Sequence, residues 1–290
     1  MKRLLGLLLL VFLFCGCKEG NAAESGTSAA DNDDGRTVTF AGKNYELTFR
    51  DDFETGRLDT TKWRYSPEMV RQGEIGWGGW WKNKCSTVEN GNYVCTCKID
   101  DDGKTPISGA IQTNGKFEQT YGLYHIRFKI EKAYGLWYAF WLLCDEMGND
   151  KTGNASAKDG AELDIFEIVP GADRENNLAD FGMSVHWGGY EEGNTQSKFD
   201  FSKPLDDTFY DKYHDVWYLW DETGYKFYMD GTAKENLVFD FPAEDYGKEA
   251  CGVPCYMIIS AEYGIWGGEI DPKMLPAHFY VDLVEVYKEK

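Results

Sequence analysis

The most informative segment of the chain is A-E-L-D-I-F-E-I-V, at residues 161–169. Its apolar members are β-branched, aromatic or bulky aliphatic residues, and these predict a β-strand. Side chains of a strand alternate between its two faces, so Glu162 and Asp164 share a face and Glu167 is out of phase by one residue. A single β-bulge near Phe166 would restore the phase. The sequence therefore predicts a bulged strand that carries three carboxylates on one face.

Three like charges on one face of an apolar strand destabilise a fold unless that face is wet and the charges have a function. Glycoside hydrolysis suits them, because a retaining mechanism uses two carboxyl groups ~5–5.5 Å apart, one as nucleophile and one as acid/base. After the bulge, the Cα atoms of Glu162 and Glu167 would lie about 13 Å apart, a gap that two converging glutamate side chains could close.

Asp164 lies between these two glutamates in the sequence. Its charge would raise the pKa of a neighbouring carboxyl, and a proton shared with Glu162 could move across as the nucleophile leaves and returns. The alternative interpretation is a solvated edge strand with scattered acids, which disagrees with the apolar composition of the segment.

The hexapeptide E-L-D-I-F-E resembles the bulged signature E-[IL]-D-x-x-E of family 16 glycoside hydrolases, found in laminarinase-like, agarase-like and carrageenase-like members. The resemblance implies a two-sheet jelly-roll sandwich of the concanavalin A type with a concave substrate cleft. It also implies that Glu162 is the nucleophile and Glu167 the acid/base. Further segments resemble family motifs in the expected order: 49–53, 58–63, 108–117, 121–129, 134–143, 184–189, 213–220, 228–231 and 280–287.

Four aromatic or imidazole side chains are candidates for substrate binding. Trp137 and Trp141 are four residues apart on a predicted strand and share a face, where indole rings can stack on sugar rings. His186 is similar to a family histidine that hydrogen-bonds near the catalytic acid; a buried core histidine is the alternative. Trp266 would be the tryptophan of a loop that resembles the laminarinase-like A-x-G-G-x-W-x-G pattern.

Ten segments have the β-type composition and flanking turn signals of strands, and none shows sustained helical periodicity. An all-β sandwich of two sheets is the expected fold class. The predicted strands are Tyr45–Arg50, Gly109–Thr113, Gly122–Glu131, Leu136–Leu143, Glu162–Val169, Gly182–Trp187, Asp215–Asp221, Tyr225–Asp230, Tyr256–Ala261 and His278–Tyr287.

The first 36 residues differ in composition from the rest of the chain. Residues 1–17 have a basic start, the apolar run Leu4–Phe14 and a terminal Gly16-Cys17, which together predict a lipoprotein signal peptide lipidated on Cys17. Ordinary secretion is the alternative. Residues 18–36 predict a flexible tether, and residues 37–290 a single catalytic domain. The expected location is a membrane-anchored lipoprotein at the cell surface or in the periplasm.

The net charge of −19 argues against a nucleic-acid partner and against binding to an anionic membrane surface. No zinc spacing, paired histidines, serine-hydrolase elbow or phosphate loop is present, so no cofactor is expected to be required. Asp52 and Asp282 stand where a structural calcium of the family could find oxygen ligands. A monomer that acts on a polysaccharide is expected.

Six cysteines follow the signal peptide, and export would permit disulfides among them in fifteen connectivities if all six pair. They are Cys85, Cys95, Cys97, Cys144, Cys251 and Cys255.

The favoured function is a retaining endo-glycosidase on β-1,3 or mixed β-1,3/1,4 glucan, because of the paired tryptophans, the tryptophan loop and a charge that would repel sulfated galactans. Tyr138 in place of the family's proline, Ala110 in place of an arginine of some members, and Glu262 before the loop count against it. The alternatives are an endo-β-galactosidase or agarase-type enzyme on galactans or host glycans, and a lectin-like glycan-binding protein without turnover.

Overall fold

The computed structural model describes residues 30–31, 36–71, 78–148, 160–190, 196–242, 252–264 and 267–290. The predicted signal peptide, Cys17, Cys251 and Trp266 lie outside the described residues. Within the segment predicted as a tether, Ala30–Asp31 pairs with the strand that begins at Thr37, so these two residues belong to a sheet.

The described residues form two antiparallel-dominated sheets and short 3₁₀ turns. The strands are β1 Ala30–Asp31, β2 Thr37–Phe40, β3 Lys43–Asp51, β4 Arg64–Tyr65, β5 Met69–Val70, β6 Trp80–Trp81, β7 Ser86–Glu89, β8 Asn92–Ile99, β9 Pro106–Ser108, β10 Ala110–Gln112, β11 Gly122–Ile130, β12 Leu136–Leu143, β13 Ala161–Asp173, β14 Leu178–Trp187, β15 Gln196–Asp200, β16 His214–Asp221, β17 Gly224–Met229, β18 Leu237–Pro242, β19 Tyr256–Tyr263 and β20 Ala277–Glu289. The 3₁₀ turns are Asn83–Cys85, Asp145–Gly148, Lys234–Asn236 and Pro272–Met274.

One sheet, called here the cleft sheet, has the strand order β15-β14-β13-β12-β19-β10-β4. The second sheet has the main path β18-β17-β16-β11-β20-β8-β9-β6-β5, with β1, β2, β3 and β7 paired to its sides. Neighbours in space are distant in sequence, as with β12 beside β19, which is typical of a jelly roll rather than a simple meander. The predicted all-β two-sheet sandwich is confirmed.

Alternation of side chains along β12 shows how the sandwich forms. Tyr138 and Phe140 are fully buried between the sheets, whereas Trp137 and Trp141 lie on the opposite face of the same strand. The Phe128 ring on β11 stacks on Phe166 of β13 with ring centroids 4.6 Å apart, so an aromatic contact joins the two sheets. Aromatic burial of this kind supplies much of the free energy of folding.

All ten predicted strands are present, and their bounds differ from the prediction by a few residues. The structure adds strands that the composition did not indicate, such as β8. In the part of the chain that the structure describes, no helix has the length and apolar character needed to cross a membrane.

The sequence left the pairing of the cysteines open. No disulfide joins any two of the described cysteines. The thiols are buried instead, and Cys95 illustrates their role: Gly109 donates its N–H to the Cys95 sulfur at 3.2 Å. A buried thiol of this kind behaves as a small apolar side chain with weak hydrogen-bonding ability.

Candidate active site

A cleft of about 410 Å³ lies on the face of the cleft sheet that points away from the core. Its walls include all three acids of the bulged segment, Glu162, Asp164 and Glu167. His186 from β14 and Trp137 from β12 also line it. The structure therefore brings together the acids, the histidine and a tryptophan that the sequence predicted for one site.

The bulge that aligns the acids is confirmed, and the extra residue is Ile165. On β12, Phe140 pairs with Phe166 and the next residue, Trp141, pairs with Asp164, so Ile165 has no opposite partner. The same irregularity appears in the pairing with β14, between Asp164 and Glu167. One inserted residue shifts the alternation by one position, which explains how Glu167 joins the face of the other two acids.

A chain of polar contacts runs from the acids toward the edge of the sheet. Glu162 hydrogen-bonds the Asp164 carboxylate. His186 Nε2 lies 3.2 Å from Asp164 Oδ2, and its Nδ1 lies 2.6 Å from Ser197 Oγ. Because the second nitrogen of the ring is engaged by Ser197, the imidazole is held in position beside the acids. The predicted place of His186 in the site, near the acids and not in the core, agrees with this geometry.

The three acids do not titrate like exposed carboxyl groups, because burial disfavours their charged forms. Burial and the Asp164 charge raise the pKa of Glu162 well above its ordinary range. Burial, followed by the charge of Glu262, raises the pKa of Asp164 to about 8. Burial, then the charges of Asp164 and Glu262, raises the pKa of Glu167 to about 8.

A pKa of about 8 leaves Glu167 mostly protonated at neutral pH. A carboxylic acid with a pKa near 8 can donate a proton to a leaving group, which an exposed glutamate cannot do efficiently. Glu162 Oε2 is buried and has no hydrogen-bond partner among the described residues, so this oxygen is available to a reacting group. Together, the site offers one proton donor, one unpartnered carboxyl oxygen and an aspartate that can exchange a proton with it.

The tryptophans are less accessible than the sequence suggested. Trp137 and Trp141 line the cleft, but only 4% and 7% of their surfaces are exposed. The indole N–H of Trp141 donates to Ser260 Oγ at 3.1 Å. The two rings form an apolar floor with Ala139 and Ile258 rather than a projecting platform.

Two residues that depart from the family pattern, Tyr138 and Ala110, are not among the residues that line the cleft. Tyr138, which replaces a proline, points into the core and donates its hydroxyl to Glu131 O at 2.7 Å. Ala110, which replaces an arginine, is buried on β10. The third departure, Glu262, does line the cleft.

Arg71 and Phe199 are among the lining residues that the sequence did not indicate. Arg71 is bound to Glu262, and Phe199 on the edge strand β15 leaves 66% of its surface exposed beside the acids. Neither belongs to a periodic apolar pattern or a motif, and only the pairing of distant strands brings them to the site. Phe199, opposite Ser184 in the register, is the exposed aromatic that the two tryptophans were expected to provide.

The calcium prediction stays a prediction, and the described residues offer little to support it. Asp282 Oδ2 lies 3.3 Å from the Arg127 guanidinium, and Asp52 Oδ2 lies 3.7 Å from that of Arg50. A carboxylate engaged by an arginine is a poor starting ligand for calcium, which requires several free oxygen donors.

In the described ranges, the only group of three or more acid, histidine or cysteine side chains with donor atoms within 4.8 Å of one another is Glu162, Asp164 and His186.

The fold and the carboxylate cleft define the class of protein: a β-sandwich hydrolase whose site is built from acids on a bulged strand. Residues 76–283 match the family model described as glycosyl hydrolases family 16. This match spans more than half of the chain, and the protein therefore belongs to glycosyl hydrolase family 16.

Individual relatives agree with this assignment. The chain is 27% identical over 271 residues to glucan endo-1,3-beta-glucosidase A1 of Niallia circulans, covering 84% of this chain and 38% of the relative. It is 27% identical over 267 residues to the beta-glucanase of Rhodothermus marinus, covering 84% of this chain and 85% of the relative. The solved endo-beta-1,3-glucanase of Pyrococcus furiosus superposes with a TM-score of 0.68 at 23% identity, covering 88% and 98% of the two chains, and confirms the fold.

Proposed function

We propose that this protein is a retaining endo-glycosidase that hydrolyses internal β-1,3 linkages of glucans, including mixed β-1,3/1,4 glucans. The observation that carries the proposal is the alignment of Glu162, Asp164 and Glu167 in one cleft by the bulge at Ile165. The names of the relatives from Niallia circulans and Rhodothermus marinus support a glucan as the substrate.

The proposed reaction proceeds in two displacements. In the first, a Glu162 carboxylate oxygen attacks the anomeric carbon, an ester bond to the sugar forms, and the bond to the leaving oxygen breaks as Glu167 gives that oxygen its proton. In the second, Glu167 removes a proton from water, the water oxygen bonds to the anomeric carbon, and Glu162 is released. The configuration at the anomeric carbon is retained because it is inverted twice.

Asp164 has a distinct role in this proposal. Glu162 must be ionised when it attacks, yet burial and the Asp164 charge raise its pKa well above the ordinary range. In this proposal the hydrogen-bonded Glu162–Asp164 pair shares one proton, which lies on Asp164 while Glu162 attacks and while the ester exists, and is shared again when the ester is hydrolysed. His186, 3.2 Å from Asp164, holds that carboxylate in place.

A substrate panel tests the proposal. We expect the purified domain to release oligosaccharides of several lengths from laminarin and barley glucan, and to leave agarose and keratan-type glycans intact. The Glu162→Gln variant serves as the control for contaminating activity. Release from a galactan only would replace the glucanase proposal by the galactosidase alternative, and binding of the same glycans without any product would support the lectin-like alternative.

We also propose that the protein is anchored in a membrane through a lipid on Cys17, since an apolar run ends at Gly16-Cys17 and a polar segment follows. In the full-length chain, Cys17→Ala should move the protein from the membrane fraction to the soluble fraction and abolish incorporation of labelled fatty acid. Cys15→Ala is the matched control and should leave both unchanged. Unaltered membrane association of Cys17→Ala would contradict the anchor.

A further inference from the structure

We propose that Arg71 binds sugar hydroxyl groups in the cleft and is a specificity-determining residue for a neutral glycan unit beside the cleaved linkage. The inference deepens the proposed function and depends on it. It rests on how Arg71 is held, where it lies relative to the acids, and what its free edge faces.

The planar guanidinium of Arg71 is held along one edge by Glu262 and on one face by Trp81. Its Nε donates to Glu262 Oε2 at 3.0 Å and its Nη2 to Glu262 Oε1 at 3.2 Å, a bidentate contact that orients the planar guanidinium. The carbon of the guanidinium lies 4.2 Å from the centroid of the Trp81 ring. Trp81 is itself fixed, because its indole N–H donates to the Ala261 carbonyl oxygen at 3.2 Å. An arginine held in this way loses little conformational entropy when it binds a ligand.

The position of this group is beside the acids, not among them. Glu262 pairs with Trp137 across β12 and β19, and β12 separates β19 from the strand that carries the acids. Two steps of about 4.8 Å between strands place β19 roughly 10 Å from β13. In this proposal, the sugar unit next to the one undergoing attack therefore lies over Trp137, and the hydroxyl groups at the edge of its ring face Arg71.

The free edge of the guanidinium is the part that faces a ligand. Arg71 lines the cleft, and no described residue accepts a hydrogen bond from its Nη1. Nη1 and the remaining N–H of Nη2 form a fork of donors, which matches two neighbouring hydroxyl oxygens on one sugar ring. Some family members carry an arginine at the position of Ala110. In this protein Arg71, which directly follows β5, provides a guanidinium in the cleft instead.

Charge indicates that the glycan unit is neutral. Arg71 is the only lysine or arginine among the described residues that line the cleft, and the buried Glu262 carboxylate balances its charge. The ionised member of the Glu162–Asp164 pair adds further negative potential during the reaction. A sulfated or carboxylated sugar would meet this potential without a free cation, whereas hydroxyl groups can accept from Arg71 without bringing a charge.

The test compares substrates of different length in matched variants. The Arg71→Met/Glu262→Gln double variant removes the donor without leaving a buried carboxylate unpaired, and Arg71→Lys keeps the charge but loses the fork. For β-1,3-gluco-oligosaccharides long enough to fill the cleft, we expect a loss of kcat/KM of roughly 10- to 100-fold, as for a charge-assisted hydrogen bond. The shortest substrate, which does not reach Arg71, should lose little.

Two measurements keep this outcome distinct from a structural effect. The rates are taken from the pH-independent plateau, since the charge of Glu262 also raises the pKa of Glu167. Arg127→Met, which removes an arginine on the second sheet, is the control and should leave kcat/KM unchanged.

An equal loss on all lengths, or no loss on long substrates, would overturn the inference. If the wild-type protein cuts no glucan, the proposed function fails first, and the same length series built from the glycan it does cut decides the role of Arg71.

Discussion

Glu162→Gln is expected to lower kcat on a β-1,3-glucan by several orders of magnitude while the domain stays folded. The amide has nearly the shape of the carboxyl group but cannot form the ester to the anomeric carbon. Glu162 Oε2 is buried and has no hydrogen-bond partner among the described residues, so this oxygen is available to form the ester in the wild-type protein. The measurement is steady-state release of reducing ends at neutral pH.

A rescue experiment distinguishes a lost nucleophile from a disturbed cleft. In Glu162→Ala, azide can occupy the space of the missing carboxylate and attack the anomeric carbon once, so an activated aryl glycoside should give a glycosyl azide of inverted configuration. Asp164→Ala, which empties a neighbouring position on the same strand, should not give this product. Normal turnover by Glu162→Gln would falsify the assignment of the nucleophile.

Glu167→Gln should produce the second largest effect, and the size of the effect should depend on the leaving group. Cleavage of polysaccharide needs a proton on the departing oxygen, so kcat on glucan should fall by about 10²- to 10⁴-fold, the range typical of general acid catalysis. An aryl glycoside with an acidic phenol needs no such proton, and formation of its glycosyl-enzyme ester should be almost unchanged. A uniform loss on both substrates would contradict the role of acid.

The dependence of wild-type activity on pH also tests the role of Glu167 as the acid. The acid must be protonated, and the pKa of Glu167 is raised to about 8 by burial and by the Asp164 and Glu262 charges. Activity on glucan should therefore be present below pH 8 and decline as the pH rises through about 8. Glu262→Gln removes one of the charges that raise this pKa and should move the decline to lower pH.

Thermal stability provides the control for folding in Glu167→Gln. In the unfolded chain Glu167 ionises near its ordinary pKa of 4.5, whereas in the folded protein it keeps its proton up to about 8. Unfolding therefore releases a proton between these pH values, and the wild-type protein loses stability as the pH rises through this interval. The amide of the variant does not titrate, so its unfolding releases no proton at this position. The difference in Tm between the variant and the wild type should therefore grow, in favour of the variant, as the pH rises from about 4.5 to 8.

Much of this protein could be predicted from local sequence. The apolar run Leu136–Leu143 predicts a strand, and the two-residue period of a strand places Trp137 and Trp141 on one face; the structure has this strand with the predicted bounds. The shift of phase between Asp164 and Glu167 is also local, since one extra residue in an alternating pattern has no other explanation than a bulge. The acid cluster was predictable for this reason.

The exposure of the aromatic rings was not predictable in this way. Alternation correctly placed Trp137 and Trp141 on the cleft side, but it cannot show that neighbouring strands bury them to 4% and 7% exposure. The opposite holds for Phe199. Its local sequence does not indicate a binding residue, but its place on the edge strand β15 leaves the ring exposed to the cleft.

The class of fold, the strand that carries the acids and the phase that aligns them could be predicted from local sequence, because these follow from backbone geometry over a few residues. The pKa values of the acids and the place of Arg71 depend on tertiary contacts. Burial and charge depend on side chains that meet across the sheet, and Arg71 contacts Glu262 over a separation of 191 residues. A local sequence pattern cannot predict such a contact, because Arg71 and Glu262 meet only once β19 has paired with β12.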